Sequence, residues 1–376
     1  MLLIKTRRDT LLGPLQAVSG IVERRHTLPI LSNVLLEKRG DVLTLLATDI
    51  EIQITTWSTG AVGEGDGAVT VGARKLQEIL RSLPESADVS LILDDKRLQL
   101  TAGKSRFSLQ TLPADDFPCM ALSEGETKKC TVSQKQFRHL LAQTQYSMAA
   151  QDVRYYLNGL LLIVDGSELR AVATDGHRLA YSSMPLDDAA QAPREPGAAR
   201  QELIVPRKTV LELSRLLTDT DEPLSIEMLA TQIRFQFGHV SLVSKLIDGR
   251  FPDYERVIPA TLRNVVSVSR GLLLQSMIRA AILTNEKFRG VRLILSAGSL
   301  KIMAANAEQE EAQEEIEVEY NGEPLDVGFN VAYLLDVLNN TVDDTIEWGF
   351  NDANSSALLT IPGNDRCKYV VMPMRI

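Results

Sequence analysis

The feature that most constrains this chain is that it repeats itself three times. A strand-like run ending in a small residue and then Asp or Asn occurs at Leu43–Asp49, at Leu169–Asp175 and at Leu300–Asn306. The closing positions, 49, 175 and 306, are 126 and 131 residues apart. A second landmark is a helix following a strand. Ala73-Arg74-Lys75 opens one, with Leu76, Ile79, Leu80 and Leu83 at helical spacing. Pro206-Arg207-Lys208 opens another, with Val210, Leu213 and Leu217. Phe329-Asn330 opens the third, with Val331, Leu334, Leu335 and Leu338. Proline suits a helix start, where its missing N–H is not needed, and Asn is a good N-cap. A third landmark closes each unit: Phe117-Pro118, Phe251-Pro252 and Met372-Pro373, each after a strand-like run.

Each unit also begins with an amphipathic helix. Leu11, Leu15, Val18 and Val22 mark the first; Phe137, Leu140, Leu141 and Met148 the second, with Ser133 and Gln136 as a capping box; Leu273, Met277 and Ile282 the third. Landmarks kept in register over three copies predict three like domains. The expected division is 1–127, 128–262 and 263–376, with polar boundaries at Ser123–Lys129 and Pro259–Asn264. The expected class is α+β, with helices packed on antiparallel sheets in every repeat. Asp187–Gln201, rich in Ala, Pro and Gly, reads as an exposed loop inside the second unit.

Charge is uneven along the chain. The net value of −9 divides as −3, 0 and −6 over the three units. Bulk acidity argues against nonspecific coating of nucleic acid, while leaving room for a local basic face. No apolar run reaches the ~20 residues of a membrane span, and Met1–Ile4 is too short for a signal peptide. The cysteines Cys119, Cys130 and Cys367 form no CxxC, so neither a disulfide framework nor a zinc site is expected, and a cytoplasmic setting is. Gly103-Lys104-Ser105 resembles the end of a phosphate loop, but Leu98 stands where that loop needs glycine. His177 has no nucleophile motif beside it. No catalytic residue, cofactor or metal is expected. A nucleotide-using enzyme and a scaffold without nucleic acid are the competing readings.

Several stretches are similar to one family. They are Gln151-Asp152-Val153-Arg154-Tyr155-Tyr156-Leu157-Asn158-Gly159, Ala173–Leu179, Asp248–Tyr254, Asn285–Val291 and the ending Tyr369–Ile376. Together they resemble the bacterial DNA sliding clamps, the β subunits of DNA polymerase III holoenzyme, over essentially the whole chain. The resemblance implies three clamp domains per subunit and a homodimer closing head to tail into a ring around duplex DNA. It implies a non-catalytic processivity factor that tethers the replicative polymerase, the clamp loader and other DNA-processing proteins through short linear peptides. Some members carry His where this chain has Ala150, and the Asp187–Gln201 loop looks longer than usual.

Three sets of residues follow. For the subunit interface, Lys104 and Arg106 lie beside Phe107 and Leu109, while Ile282 and Leu283 precede eight acids with no base between Glu308 and Glu323. The expected contacts are Phe107 and Leu109 against Ile282 and Leu283, with the two bases facing Glu308, Glu310, Glu311 and Glu314; without the resemblance Phe107 and Leu109 read equally well as core. For DNA, a sliding ring needs weak, sequence-independent phosphate contacts. Arg74, Lys75, Arg207 and Lys208 stand at matching helix starts, where anions are favoured. The resemblance adds Arg25, Gln151, Arg154, Tyr155 and Tyr156. For the partner peptide it points to Leu157, Thr174, Gly176, His177, Arg178, Leu179, Pro252, Arg256, Val257, Asn330, Tyr333, Ser356, Val370, Met372, Pro373, Met374 and Arg375. Alternation along the last strand is expected to put Met372 and Met374 on one face.

Overall fold

In every repeat a strand runs directly into a helix, and the order of elements is the same. A computed structural model describes residues 2–376 apart from 24–27, 61, 95, 124, 126 and 187–199. The first repeat contains β1 (Leu2–Arg7), α1 (Arg8–Val18), β2 (Asn33–Arg39), β3 (Val42–Thr48), β4 (Ile52–Ser58), β5 (Gly67–Gly72), α2 (Ala73–Ser82), β6 (Asp88–Asp94), β7 (Arg97–Ala102) and β8 (Ser105–Leu112). The second contains β9 (Lys128–Ser133), α3 (Gln134–Ala142), β10 (Gly159–Asp165), β11 (Glu168–Thr174), β12 (Arg178–Pro185), β13 (Gln201–Pro206), α4 (Arg207–Leu216), β14 (Pro223–Met228), β15 (Gln232–Phe237) and β16 (Val240–Lys245). The third contains β17 (Asn264–Ser269), α5 (Arg270–Ala281), β18 (Gly290–Ser296), β19 (Ser299–Ala305), β20 (Glu311–Glu317), β21 (Leu325–Asn330), α6 (Val331–Asn340), β22 (Thr345–Phe350), β23 (Ala357–Ile361) and β24 (Asn364–Val371).

The helix starts follow the sequence landmarks, and local chemistry explains them. The Asn330 side chain accepts from the Ala332 N–H at 2.9 Å, capping α6. Arg74 and Glu78, one turn apart on α2, form an ion pair at 2.8 Å, while Ala73, Leu76 and Leu80 are buried. Pro206 differs from expectation: it ends β13, and α4 begins at Arg207. The expected helix ends run too far. Val22, Leu83 and Ile282 are C-caps, and Met148 caps the 3-10 turn Gln145–Ser147. Helix ends fray over a residue or two, so apolar spacing alone does not mark where a helix stops.

Contact density divides the described chain into two units, one of residues 2–135 and 215–246, the other of 136–186, 200–214 and 247–376. The division follows the sheets rather than the repeats. In the first unit a 12-stranded sheet runs β1-β6-β7-β8-β5-β2-β3-β4-β16-β15-β14-β9. In the second an 8-stranded sheet runs β13-β10-β11-β12-β24-β23-β22-β17, and a 4-stranded sheet runs β20-β19-β18-β21.

Each large sheet therefore continues from one repeat into the next. β4 of the first repeat pairs antiparallel with β16, which closes the second, as in Leu242 opposite Ile54. β12 of the second pairs in the same way with β24, which closes the third, as in Leu179 opposite Val370. The corresponding strand of the third repeat, β20, is an edge strand. The strand that closes the first repeat, β8, meets β5 only at Leu112 and Thr111, so its other residues have strand partners on the β7 side alone. The core of the third repeat is aromatic: the Trp348 ring lies 5.7 Å from Phe329 and 5.1 Å from Phe350, all three buried. Among the described residues no helix is long and apolar enough to cross a membrane.

Candidate functional site

The repeated Asp or Asn after each strand is a turn cap. The Asp175 carboxylate accepts from the backbone N–H groups of His177 and Arg178, at 2.9 and 3.1 Å. Asp49 does the same for Glu51 and Ile52, and Asn306 for Glu308 and Glu310. This is the Asx-turn geometry that short polar side chains provide. The preceding threonine assists in two copies: Thr174 donates to the Arg178 carbonyl at 2.6 Å and Thr48 to that of Ile52 at 2.8 Å. The turn needs a left-handed residue. Gly176 has φ +90, and the matching Ile50 sits at φ +71.

In the second repeat this turn carries a cluster of polar and aromatic side chains around Arg178. The Arg178 guanidinium carbon lies over two rings, 4.5 Å from the centre of Tyr333 and 5.5 Å from that of Tyr146. The guanidinium donates to Asp175 at 3.1 Å, to the Tyr146 carbonyl at 2.6 Å and to Asp336 on α6. With three polar partners and two ring faces the cation is fully engaged although its side chain is only 11% exposed. Burial pushes the Tyr146 phenol well above its usual pKa, and the Tyr333 phenol upward by the same cause.

Beside Arg178 lies an apolar cleft of about 150 Å³. Its walls are Leu157, Thr174, Gly176, Arg178, Leu179, Pro252, Val257, Val370 and Met372, joined by Arg154 and Tyr254. Sequence-distant segments meet here because β12 pairs with β24, setting Leu179 opposite Val370. The third wall comes from the 3-10 turn Tyr254–Arg256, on which Tyr254 and Val257 share a side at i, i+3. Arg154 lies over Gly176, where an added Cβ would stand 2.8 Å from its Nη2. Asp152 fixes Arg154 through two carboxylate contacts of 3.0 and 2.9 Å. Those bonds hold the Asp152 carboxyl down at about 2. A small, mostly apolar cleft with a few oriented polar groups suits the side chains of a short peptide.

The remaining expected peptide residues are not in the wall of this cleft. His177 accepts from the Met372 N–H at 2.9 Å through its backbone carbonyl. Arg256 points out, paired with Asp253 at 2.9 Å. Asn330 is occupied as the α6 cap, Tyr333 stands behind Arg178, and Ser356 is half-buried just before β23. The chain after Val371 is no longer strand, which corrects the expected shared face of Met372 and Met374. Met372 lines the cleft, whereas the Met374 N–H donates to Gly328 on β21 at 2.8 Å. Pro373 is half-buried between them and Arg375 is exposed.

Of the expected DNA residues, Arg74 and Lys75 are exposed on the first turn of α2. Gln151 and Tyr155 are exposed and Tyr156 half-buried. Arg207 is half-buried and donates to the Met148 carbonyl at 3.0 Å; Lys208 is half-buried beside it on the first turn of α4. Arg25 lies outside the described residues. Of the interface residues, Lys104 and Arg106 are exposed, and Phe107 and Leu109 half-buried on β8. Ile282 is 73% exposed and Leu283 half-buried, just past α5, which packs on β20. Glu314 is already paired within the chain, accepting from Arg279 at 2.8 and 2.5 Å, and Glu310 accepts from the Asn306 amide at 2.5 Å. Glu308 and Glu311 are exposed.

The chain matches three family models in succession: "DNA polymerase III beta subunit, N-terminal domain" at residues 2–121, "central domain" at 131–253 and "C-terminal domain" at 255–375. It belongs to the DNA polymerase III β-subunit family. The "Beta sliding clamp" of Pseudomonas putida is 50% identical over 98% of this chain and 99% of its own length. That of Escherichia coli K12 is 45% identical over 98% of each. The crystal structure of the DNA polymerase III subunit beta from Pseudomonas aeruginosa superposes with a TM-score of 0.93 at 48% identity, covering 99% of this chain and 100% of that one. A P. aeruginosa sliding clamp bound to griselimycin gives a TM-score of 0.92 at 47% identity over 99% of each chain.

For this β-subunit chain, nine of the residues that the resemblance pointed to for the peptide are found in the cleft wall. Arg154, which the resemblance pointed to for DNA, also lines the cleft. Tyr254 was passed over, although it lies in a stretch that resembles the family. The signal was the i, i+3 relation of Tyr254 to Val257 after Pro252. Among the described residues no group of three or more His, Cys, Asp or Glu side chains gathers to hold a metal.

Proposed function

We propose that this protein is the processivity factor of a replicative DNA polymerase, a cytoplasmic homodimeric ring that encircles duplex DNA and slides along it. Its work is to hold, not to catalyse. The observation that carries this reading is the pattern of strand pairing between repeats. Twice within the chain the fourth strand of one repeat joins the closing strand of the next. The series runs out with β20 unjoined at one end and most of β8 joined on one side only. Edge strands left open in this way are templates for another chain. A second copy supplies the missing strand at both ends, and such a head-to-tail contact closes when its rotation allows. The edges are complementary in charge: Lys104 precedes β8 and Arg106 lies on it, while Glu308 precedes β20 and Glu311 opens it.

In this reading the repeats are the domains 1–127, 128–262 and 263–376, and Ile282, Leu283, Phe107 and Leu109 supply the apolar centre of each contact. Glu314 serves its own chain through Arg279 and contributes register only indirectly. DNA is held by dispersed polar side chains: Arg25, Arg74, Lys75, Arg154, Arg207 and Lys208, with Gln151, Tyr155 and Tyr156. Polymerase, clamp loader and other DNA-processing proteins dock short peptides in the cleft of Leu157, Leu179, Pro252, Val257, Val370 and Met372, with Arg178, Arg154 and Tyr254 shaping its polar rim.

The test has two arms. Sedimentation should give twice the 41.5 kDa chain mass. Protein loaded by a clamp loader should remain on nicked circular plasmid in high salt and run off after the plasmid is linearised. A monomer, or equal retention on both forms, refutes the ring.

A further inference from the structure

We propose that Gly328 and Gly290 form a dock for the last residues of the chain and, through it, act as positioning residues for Met372 in the peptide cleft; this rests on the cleft reading above. Gly290 and Arg292 alternate along β18 with the buried Val291 and Leu293, and Gly328 alternates on β21 with the buried Val327 and Phe329. Gly328 is registered opposite Arg292, so both glycines lie on the outward face of this sheet. That face is therefore bare at two neighbouring points. The chain end occupies them. An added Cβ on Gly328 would stand 2.5 Å from the Met374 carbonyl oxygen and 2.6 Å from Ile376 Cδ1. One on Gly290 would stand 3.3 Å from Ile376 Cδ1 and 3.8 Å from Met374 Cε.

The dock is completed by the backbone. β21 is an edge strand, and Met374 forms an antiparallel bridge to Gly328 through its N–H. Two residues earlier the Met372 N–H is held by the His177 carbonyl beside β12. The link between these two anchors is Pro373. Proline fixes its own φ and confines the residue before it to extended backbone. Fixing Met374 on β21 thus fixes Met372, whose side chain lines the cleft. Neither glycine has a side chain or touches the cleft, so the effect is carried by the tail.

The test uses the full chain. Gly328→Ala should shift the ε-methyl NMR signals of both Met374 and Met372. It should weaken binding of a fluorescein-labelled hexapeptide with Gln first and Leu-Phe last by about tenfold, the scale of one displaced apolar contact. Gly290→Ala should give a smaller loss, relieved by adding Ile376→Ala, because the neighbour it meets is a side-chain tip. In a Met372→Ala background, Gly328→Ala should add nothing; a general destabilisation of the domain would still add its cost there. An unmoved Met372 methyl, unchanged affinity in Gly328→Ala, or an undiminished effect in the Met372→Ala background overturns the proposal. Wild-type protein that fails to bind the peptide, while Gly328→Ala still moves the Met372 methyl, overturns the cleft reading and supports the dock.

Discussion

Replacing Ile282 and Leu283 with alanine should separate the dimer while leaving each subunit folded. Ile282 is 73% exposed in the single chain and lies just past α5, which packs on the open edge strand β20. A substitution at so exposed a position changes folding stability by about 0.5 kcal/mol or less. Association feels it differently. Truncating Ile or Leu to Ala removes roughly three methyl or methylene groups, worth ~0.8 kcal/mol each when buried. Scaled by the 73% that a partner can newly cover, Ile282 contributes about 1.8 kcal/mol per contact. Half-buried Leu283 contributes roughly 1.2 kcal/mol on the same scale. A closed dimer makes the contact twice, so the loss is about 6 kcal/mol, or roughly four decades in Kd. Sedimentation velocity over a dilution series reads this directly, with circular dichroism as the check on folding. Glu308→Ala is the contrast: a rim charge acts mainly on association rate, so the dimer should persist. A double-alanine protein that stays dimeric at nanomolar concentration refutes the assignment of Ile282 and Leu283 to the contact.

Three further outcomes are expected. Deleting Met372–Ile376 should abolish peptide binding in a fluorescence titration while the protein stays dimeric, because the deleted side chains lie at the cleft and on β21, not on β8 or β20. Lys75→Ala should weaken direct DNA binding equally across sequences and reduce the slope of log K against log salt by about one unit, as loss of one phosphate contact requires; an unchanged slope would remove Lys75 from the DNA surface. With a thiol reagent at pH 8, Cys119 alone should react in the native protein, since Cys130 and Cys367 are buried and burial pushes the Cys130 thiol up to about 11; two more thiols should appear on unfolding.

What could be seen in the sequence follows from the range of the forces involved. The three Asp or Asn landmarks were visible because an Asx turn is a local device, made by a side chain and the N–H groups a few residues on. The cap at Asn330 was visible for the same reason. The apolar spacing that marked the helices ran past their ends to Val22, Leu83, Met148 and Ile282, because side-chain type does not mark where backbone hydrogen bonding stops. Met374 was misplaced because alternation was extended past Val371, where the chain leaves the sheet and turns to Gly328. Glu314 looked free for a partner because its pairing with Arg279 joins residues 35 apart on different elements. The joining of β4 to β16 and of β12 to β24 had no local signal, since pairing between sequence-distant strands is decided by the packing of whole repeats.

The repeat also explains why the turn of the second copy, which lines the cleft, differs from the other two. All three copies carry the capped turn after the third strand, but its left-handed position differs: Ile50 in the first, Gly176 in the second and Gln309 in the third. A branched side chain at φ +71 is strained. At Gly176 there is no side chain, and Arg154 enters the space, within 2.8 Å of where a Cβ would be. The residue after the turn differs as well. In the first copy it is the buried Ile52, in the third the exposed Glu311, and in the second Arg178, held by Asp175, Asp336 and two tyrosine rings. One local device, repeated for the sake of the fold, becomes part of the cleft wall in the copy where glycine leaves room for Arg154 and Arg178 follows the turn. Gly176→Ala should therefore be read as an expulsion of Arg154. Peptide affinity should fall together with the Arg154–Asp152 pair, seen as a rise of the Asp152 pKa from about 2 toward the usual carboxylate range. An Asp152 that still titrates near its native value in a Gly176→Ala protein with weakened binding would show that the glycine acts on the turn alone.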